Sequence, residues 1–159
     1  MSNASTITIT IAGKMSLKIR KVSMSQGLTG FYFDDQLAIR RGAKQDGHFY
    51  VGKPLTPGHR TIRMPGESVS IILALDDGQI AYGDCCSSQY SGVGGRDSPL
   101  LACETLPLIE REIVPRFEGK SVSTFREMAE EVEHLSVDGA KLHCGIRYGI
   151  TQALLDAVA

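Results

Sequence analysis

The stretch "SVSIILALDDGQIAYGD", residues 68–84, constrains the fold more than any other part of the chain. Two apolar, β-prone runs, 69–75 and 80–83, flank the dipeptide Asp77-Gly78. Asp-Gly is favoured in tight hairpin turns because both central positions need a positive φ, which glycine adopts freely and aspartate tolerates. An antiparallel hairpin follows. A third strand is expected over 17–22, "LKIRKV", where apolar and basic residues alternate loosely, so that the three strands form an antiparallel meander.

Beyond residue 97 the apolar period changes from two to 3.6. Ser98-Pro99 has the form of an N-cap followed by proline at the first helical position, and "LLACETLPLIEREIV" then offers Leu101, Leu108, Ile109 and Ile113 as a buried face. Pro107 is expected to kink or divide this helix. "SVSTFREMAEEVEHL" carries a cleaner stripe of Val122, Phe125, Met128, Ala129, Val132 and Leu135, and Thr124 and Glu127 have capping-box spacing. "HCGIRYGITQALLDAVA" predicts a last helix with Ile146, Ile150, Ala153, Leu154 and Ala157 on one side. It ends apolar and without a stop signal, from which a continuing chain is expected. Strands first and helices afterwards indicate the α+β class.

Residues 23–68 lie between the first strand and the hairpin and are broken by glycine and proline, so they read as one long loop of the lid or binding type. Within it "GLTGFYFDD" sets Phe31, Tyr32 and Phe33 between glycines and two carboxylates. Residues 1–16 read as a polar lead-in outside the fold.

The overall balance excludes several partners. The net charge is -1 and the single basic cluster, "KIRK", falls in a strand-like stretch, so no phosphate-neutralising surface for nucleic acid is expected. With 42% hydrophobic and 22% charged residues, and "TITITIA" alternating near the start, neither a membrane span nor a signal peptide is expected. Cys85, Cys86, Cys103 and Cys144 lack zinc-site spacing and read as free thiols of a cytoplasmic protein.

"CCSSQYSGVGGRD", residues 85–97, admits four readings: a metal site, a redox pair, a phosphate cradle, or a loop closing over a small polar substrate. The glycines Gly92, Gly94 and Gly95 do not have nucleotide-loop spacing and no lysine follows them, which disfavours a phosphate cradle. Adjacent cysteines on a strand point to opposite faces, and a disulfide between them would be strained. His48, His59, His134 and His143 are far apart in sequence, and the neighbours His143 and Cys144 diverge on a helix, so no metal ligands are assigned. Gln89, with two donors and an acceptor, and Tyr90 are left as the polar groups suited to a substrate-facing loop.

Read together, "GLTGFYFDDQ", "GESVSIILALDDGQIAYGDC", "QYSGVGGRD" and "LHCGIRYGITQALLDAVA" resemble the N-terminal portion of methylaspartate ammonia-lyase, of the enolase superfamily. The resemblance runs from about residue 17 to the end. It implies an enolase N-terminal-like cap over 17–141, a helix over 142–159 leading toward a barrel, and the absence of that TIM barrel from this chain. It further implies elimination of ammonia from 3-methylaspartate to give mesaconate, in amino acid degradation, with Mg²⁺ and the catalytic bases held by the absent barrel, and a homodimer. No catalytic or metal-binding residue is therefore expected here. Substrate-binding assignments are Gln89, which matches the family's substrate-contacting glutamine, with Tyr90 and Phe33; Phe31 and Tyr32 belong to the same aromatic loop. The expected role is to close over a small-molecule amino acid substrate, without activity in this portion alone. Alternatives are another enolase-superfamily lyase acting on a related amino or carboxylic acid, or a non-catalytic α+β module that binds a partner through Ile146, Ile150 and Leu154.

Overall fold

The structure, a computed structural model, describes residues 17–159. The polar lead-in assigned to 1–16 lies outside the described residues. Three strands form the main antiparallel sheet: β1 (Ile19–Phe33), β4 (Arg63–Leu75) and β5 (Ile80–Cys86), in the order β1-β4-β5. The expected hairpin joins β4 to β5, with Gly78 at a φ of 95° in its turn.

The first and central strands are much longer than expected. β1 pairs with β4 from Ile19↔Leu75 to Phe33↔Arg63, so most of the residues read as the two ends of a loop are ladder. Polar and glycine residues dominate 23–30, and they can do so because little of that part of the strand is buried. Pro65 lies within β4. Pairing to β5 stops at Ser68↔Cys86, so at Pro65 the strand has one neighbour, beside a register irregularity at Thr29/Phe31. These are the settings in which a sheet accepts proline.

What remains between β1 and β4 is a folded excursion. It contains the short helix α1 (Asp35–Arg40) and a small hairpin of β2 (Lys44–Asp46) and β3 (Phe49–Val51). Gly47, at φ 57°, and His48 make the turn of that hairpin, directly after Asp46, which pairs with Phe49; Asp138-Gly139, at φ 52° and 78°, makes the turn between β6 (Ser136–Val137) and β7 (Ala140–Lys141). Asp46-Gly47 and Asp138-Gly139 repeat the Asp-Gly signal of Asp77-Gly78.

The first helix on the sheet, α2 (Ala102–Glu112), starts later than Ser98-Pro99 implies, and Leu101 at its N-cap provides no side-chain cap. The cap comes from another element. Glu67 of β4 accepts the Ala102 N–H through Oε2 at 2.7 Å. Pro107 does not divide α2, which continues through it; the break falls later, at Ile113, before α3 (Val114–Phe117). The capping box of α4 (Phe125–Glu133) forms as expected between Thr124 and Glu127.

α5 (Cys144–Val158) lies against β5. Ile146, Ile150, Ala153, Leu154 and Ala157 are all buried in the core with Val69, Ile71, Leu73 and Cys85 of the sheet. The stripe that would have served a partner-binding module is therefore consumed within the chain. Backbone comes very close to backbone here: a β-carbon on Gly149 would sit 2.5 Å from Cys85 Sγ and 2.6 Å from the Cys85 nitrogen. α5 also covers the outer edge of β5, because Asp156 accepts the Tyr82 N–H at 2.8 Å and Gln152 accepts the Asp84 N–H at 3.1 Å. Those N–H groups would otherwise offer an open edge for another strand. None of the described helices is long and apolar enough to cross a membrane.

Candidate functional site

The segment after β5 is a closed loop whose two ends are fastened to different elements. Its neck is made by the Gly92 N–H donating to the Asp97 carbonyl at 2.7 Å. Inside it, Ser91 is fully buried; its hydroxyl bonds the Ser88 carbonyl and lies 2.9 Å from the Ser87 hydroxyl, which in turn accepts the Leu100 N–H. Short polar side chains thus replace ladder bonds in fixing the loop. Three glycines, Gly92, Gly94 and Gly95, have φ of 75°, 64° and 79°, a conformation that strains any side-chain-bearing residue.

The structure brings together the three residues assigned to substrate binding. The Phe33 N–H donates to the Gln89 carbonyl at 2.8 Å, which seats the loop on the end of β1. Tyr90 packs on Phe33 with ring centroids 5.9 Å apart, and Phe31 stacks with Phe33 at 6.4 Å. Arg63, from the paired end of β4, sits over the Phe33 ring at 4.3 Å. Phe33 is consequently buried, whereas the Gln89 side chain is exposed and Phe31 is 45% exposed.

Tyr32 departs from the sequence reading that grouped it with its aromatic neighbours. Strand alternation turns it into the interior, where it is 1% exposed and its hydroxyl donates to the Glu67 carbonyl at 2.9 Å and lies 3.3 Å from that of Leu100. Burial raises the Tyr32 pKa and its hydrogen bonds work against the rise. Its role is to join β1 to β4 and to the segment leading into α2.

Several buried polar residues give no signal in the sequence, among them Asp34, Thr56 and His59 of the excursion and Ser91 of the loop itself. The Asp34 carboxylate accepts the N–H groups of Leu55 and Thr56 and the Thr56 hydroxyl. Burial alone would raise its pKa, but these bonds, with His59 nearby, hold it below the ordinary aspartate range. A cleft of about 400 Å³ opens beside it, lined by Asp34, Leu37, Arg40, Tyr90, Val93 and Arg96.

The far end of the loop is tied to the start of α5. Asp97 accepts the Cys144 N–H through Oδ2 at 2.6 Å, and the His143 Nε2 lies 2.9 Å from the Ser98 carbonyl. His143 Nδ1 accepts the Gly145 N–H, which requires the Nε2–H tautomer. Folding therefore makes a cluster of Asp97, His143 and Cys144 that sequence separation concealed. Asp97 Oδ2 and His143 Nδ1 each accept an N–H at the start of the helix, and the cluster's mixed sulfur, nitrogen and oxygen donors do not suit Mg²⁺, which takes oxygen ligands. Cys85 is inert: burial, then its acidic neighbours, push its thiol up to about 12.

The family model described as the methylaspartate ammonia-lyase N-terminus matches residues 17–159. The methylaspartate ammonia-lyase of Clostridium tetanomorphum is 53% identical over 143 residues, which is 90% of this chain and 35% of that protein. A crystal structure of the Clostridium tetanomorphum β-methylaspartase as its Mg complex superposes with a TM-score of 0.84 at 54% identity, covering 89% of this chain and 34% of that one. The Citrobacter amalonaticus enzyme, solved with (2S,3S)-3-methylaspartic acid, gives a TM-score of 0.85 at 46% identity, with the same coverage of both chains. The chain thus spans about a third of the length of the relatives it matches, and the part it matches is their N-terminal cap.

Proposed function

Because the chain belongs to the methylaspartate ammonia-lyase N-terminal family, we propose that it is the capping portion of a carbon-nitrogen lyase that eliminates ammonia from 3-methylaspartate. In this reading 17–141 form the cap and 142–159 lead toward a barrel that supplies the catalytic bases and the Mg²⁺ ligands. Mg²⁺ would there stabilise the charge that develops on the substrate carboxylate. The full-length protein is proposed to be a cytoplasmic homodimer.

One observation carries the cap's own role: Gln89 is held by its backbone against Phe33 while its side chain remains exposed. An amide fixed at the root and free at the tip can offer a donor to a carboxylate, or an acceptor to an amine, without adding charge. Phe33 and Tyr90 give that backbone a rigid apolar seat, which limits the entropy lost on binding.

In the full-length protein, Gln89→Ala is expected to raise KM or shift amine selectivity with the fold intact. Steady-state ammonia release, or the absorbance of the unsaturated product, measures this. An unchanged profile removes Gln89 from the site. The chain 1–159 by itself is expected to be inactive even with Mg²⁺, and turnover by it would refute the division of labour.

A further inference from the structure

We propose that Asp34 is a positioning residue that sets where the Gln89 loop stands over the substrate. The inference rests on the reading of Gln89 given above. Asp34 is 3% exposed, and none of its carboxylate's hydrogen-bond partners is a cation. A charged group so placed is costly to bury unless its bonds are well made, and here it gathers three. Its backbone and side chain act on two different segments. The Asp34 N–H donates to the Ile62 carbonyl at 2.7 Å, which closes the 34–62 excursion at its root. The carboxylate draws in the turn at Leu55 and Thr56 from the opposite side of that excursion.

Thr56 passes this placement to the loop. A β-carbon on Gly92 would lie 2.9 Å from Thr56 Cγ2, so the loop backbone rests directly on the threonine methyl. Gly58, two residues on, is equally tight against Pro99, where a β-carbon would be 2.9 Å from Cδ. The residue before Asp34, Phe33, holds the Gln89 carbonyl. One aspartate therefore governs both supports of the loop: the strand end under Gln89, and the floor under Gly92. A carboxylate suits the position because one oxygen, Oδ2, accepts the two converging N–H groups while the other, Oδ1, accepts the Thr56 hydroxyl. Asp34 touches neither substrate nor metal in this account and acts through Gln89 alone.

The test is a double-mutant cycle in the full-length protein, with circular dichroism and melting temperature as controls for folding. Asp34→Ala is expected to raise KM by about ten-fold, the change that follows when loop order equivalent to one hydrogen bond to a charged group is lost. Asp34→Ala combined with Gln89→Ala should be no worse than Gln89→Ala alone, because a loop without its amide has nothing left to place. Asp34→Asn keeps an acceptor for the two N–H groups and should restore a near-normal KM. If Asp34→Ala does not fold, Thr56→Val takes its place, since it deletes the hydroxyl bond and keeps the methyl beneath Gly92. Additive losses in the cycle, or a lowered melting temperature with unchanged KM, would overturn the positioning role. A Gln89→Ala single variant with normal kinetics would instead overturn the functional reading of Gln89, so the two failures are told apart.

Discussion

Replacing Gly149 by alanine tests the packing of α5 on β5 with opposite signs from two lines of reasoning. In a helix interior, alanine is favoured over glycine by about 1 kcal/mol, so local propensity alone predicts a stabilised protein. The tertiary contact predicts the reverse. The new β-carbon would stand 2.5 Å from Cys85 Sγ, 2.6 Å from the Cys85 nitrogen and 2.8 Å from the Asp84 carbonyl carbon. Two of these three atoms are backbone of a strand hydrogen-bonded along its other edge to β4, so they cannot swing aside. Ordinary contact lies near 3.5–4 Å, so α5 must withdraw by roughly 1 Å, and a gap of that size forfeits about a quarter to a half of each dispersion contact along the seam. Overpacking of this kind costs about 1–3 kcal/mol or more, which at its upper end exceeds the propensity gain. A net loss of up to about 2 kcal/mol is expected, or a fall of up to roughly 4–8 °C in melting temperature. Urea and thermal unfolding followed by far-ultraviolet circular dichroism measure it. Gly30→Ala is the control, because a β-carbon at Gly30 meets nothing within 4 Å, and that change should be neutral. A Gly149→Ala variant as stable as the parent, or more so, would refute the claim that backbone contact sets the helix position.

Two further outcomes follow from the thiols and the carboxylates. Under native conditions a thiol reagent should modify the exposed Cys103 and leave Cys85 unlabelled until the protein unfolds, which mass mapping of the labelled peptides would reveal; early labelling of Cys85 would contradict the seam with α5. The Asp97 pKa is lowered, first by the Cys144 N–H, while burial opposes. Its contribution to stability is therefore complete above the unfolded value of about 3.9 and is lost as pH falls through the lower folded value. Asp97→Asn should flatten the stability profile below about pH 4 relative to the parent, and an unchanged acid limb would refute the capping role.

The parts of the fold that were legible share a property: their signals are local. Asp77-Gly78 announces its hairpin because the turn needs a positive φ at Gly78, a demand met by that residue's own backbone freedom. The Thr124–Glu127 box announces α4 because both partners lie within one turn. The start of α2 was misjudged for the opposite reason, since its cap is Glu67, on another strand, and the adjacent Ser98-Pro99 offered a plausible local substitute. β1 beyond Val22 looks like loop in the sequence because a mostly exposed stretch makes no demand for apolar residues, and only its pairing with β4 identifies it. The assignment of Gln89, Tyr90 and Phe33 rests on loop chemistry and a resemblance of motifs, both of which can be read from a short stretch of sequence. Asp34 and Thr56 carry no such signal, because a buried carboxylate satisfied by N–H groups 21 and 22 residues away looks in sequence like any loop aspartate.

By itself, then, the sequence determined the α+β order, the central hairpin, the apolar stripes of α4 and α5 and the family to which the motifs point. These follow from periodicity and from backbone preferences that act within a few residues. Tertiary structure alone decided which way the aromatics of "GFYFDD" face, turning Tyr32 inward to bond the Glu67 carbonyl and Phe33 toward Tyr90. It also decided that the stripe of α5 is spent on β5, and that the polar residues Asp34, Thr56 and His59 are buried. The reason is that burial and hydrogen-bond satisfaction are properties of neighbours in space, and here the neighbours come from segments tens of residues apart.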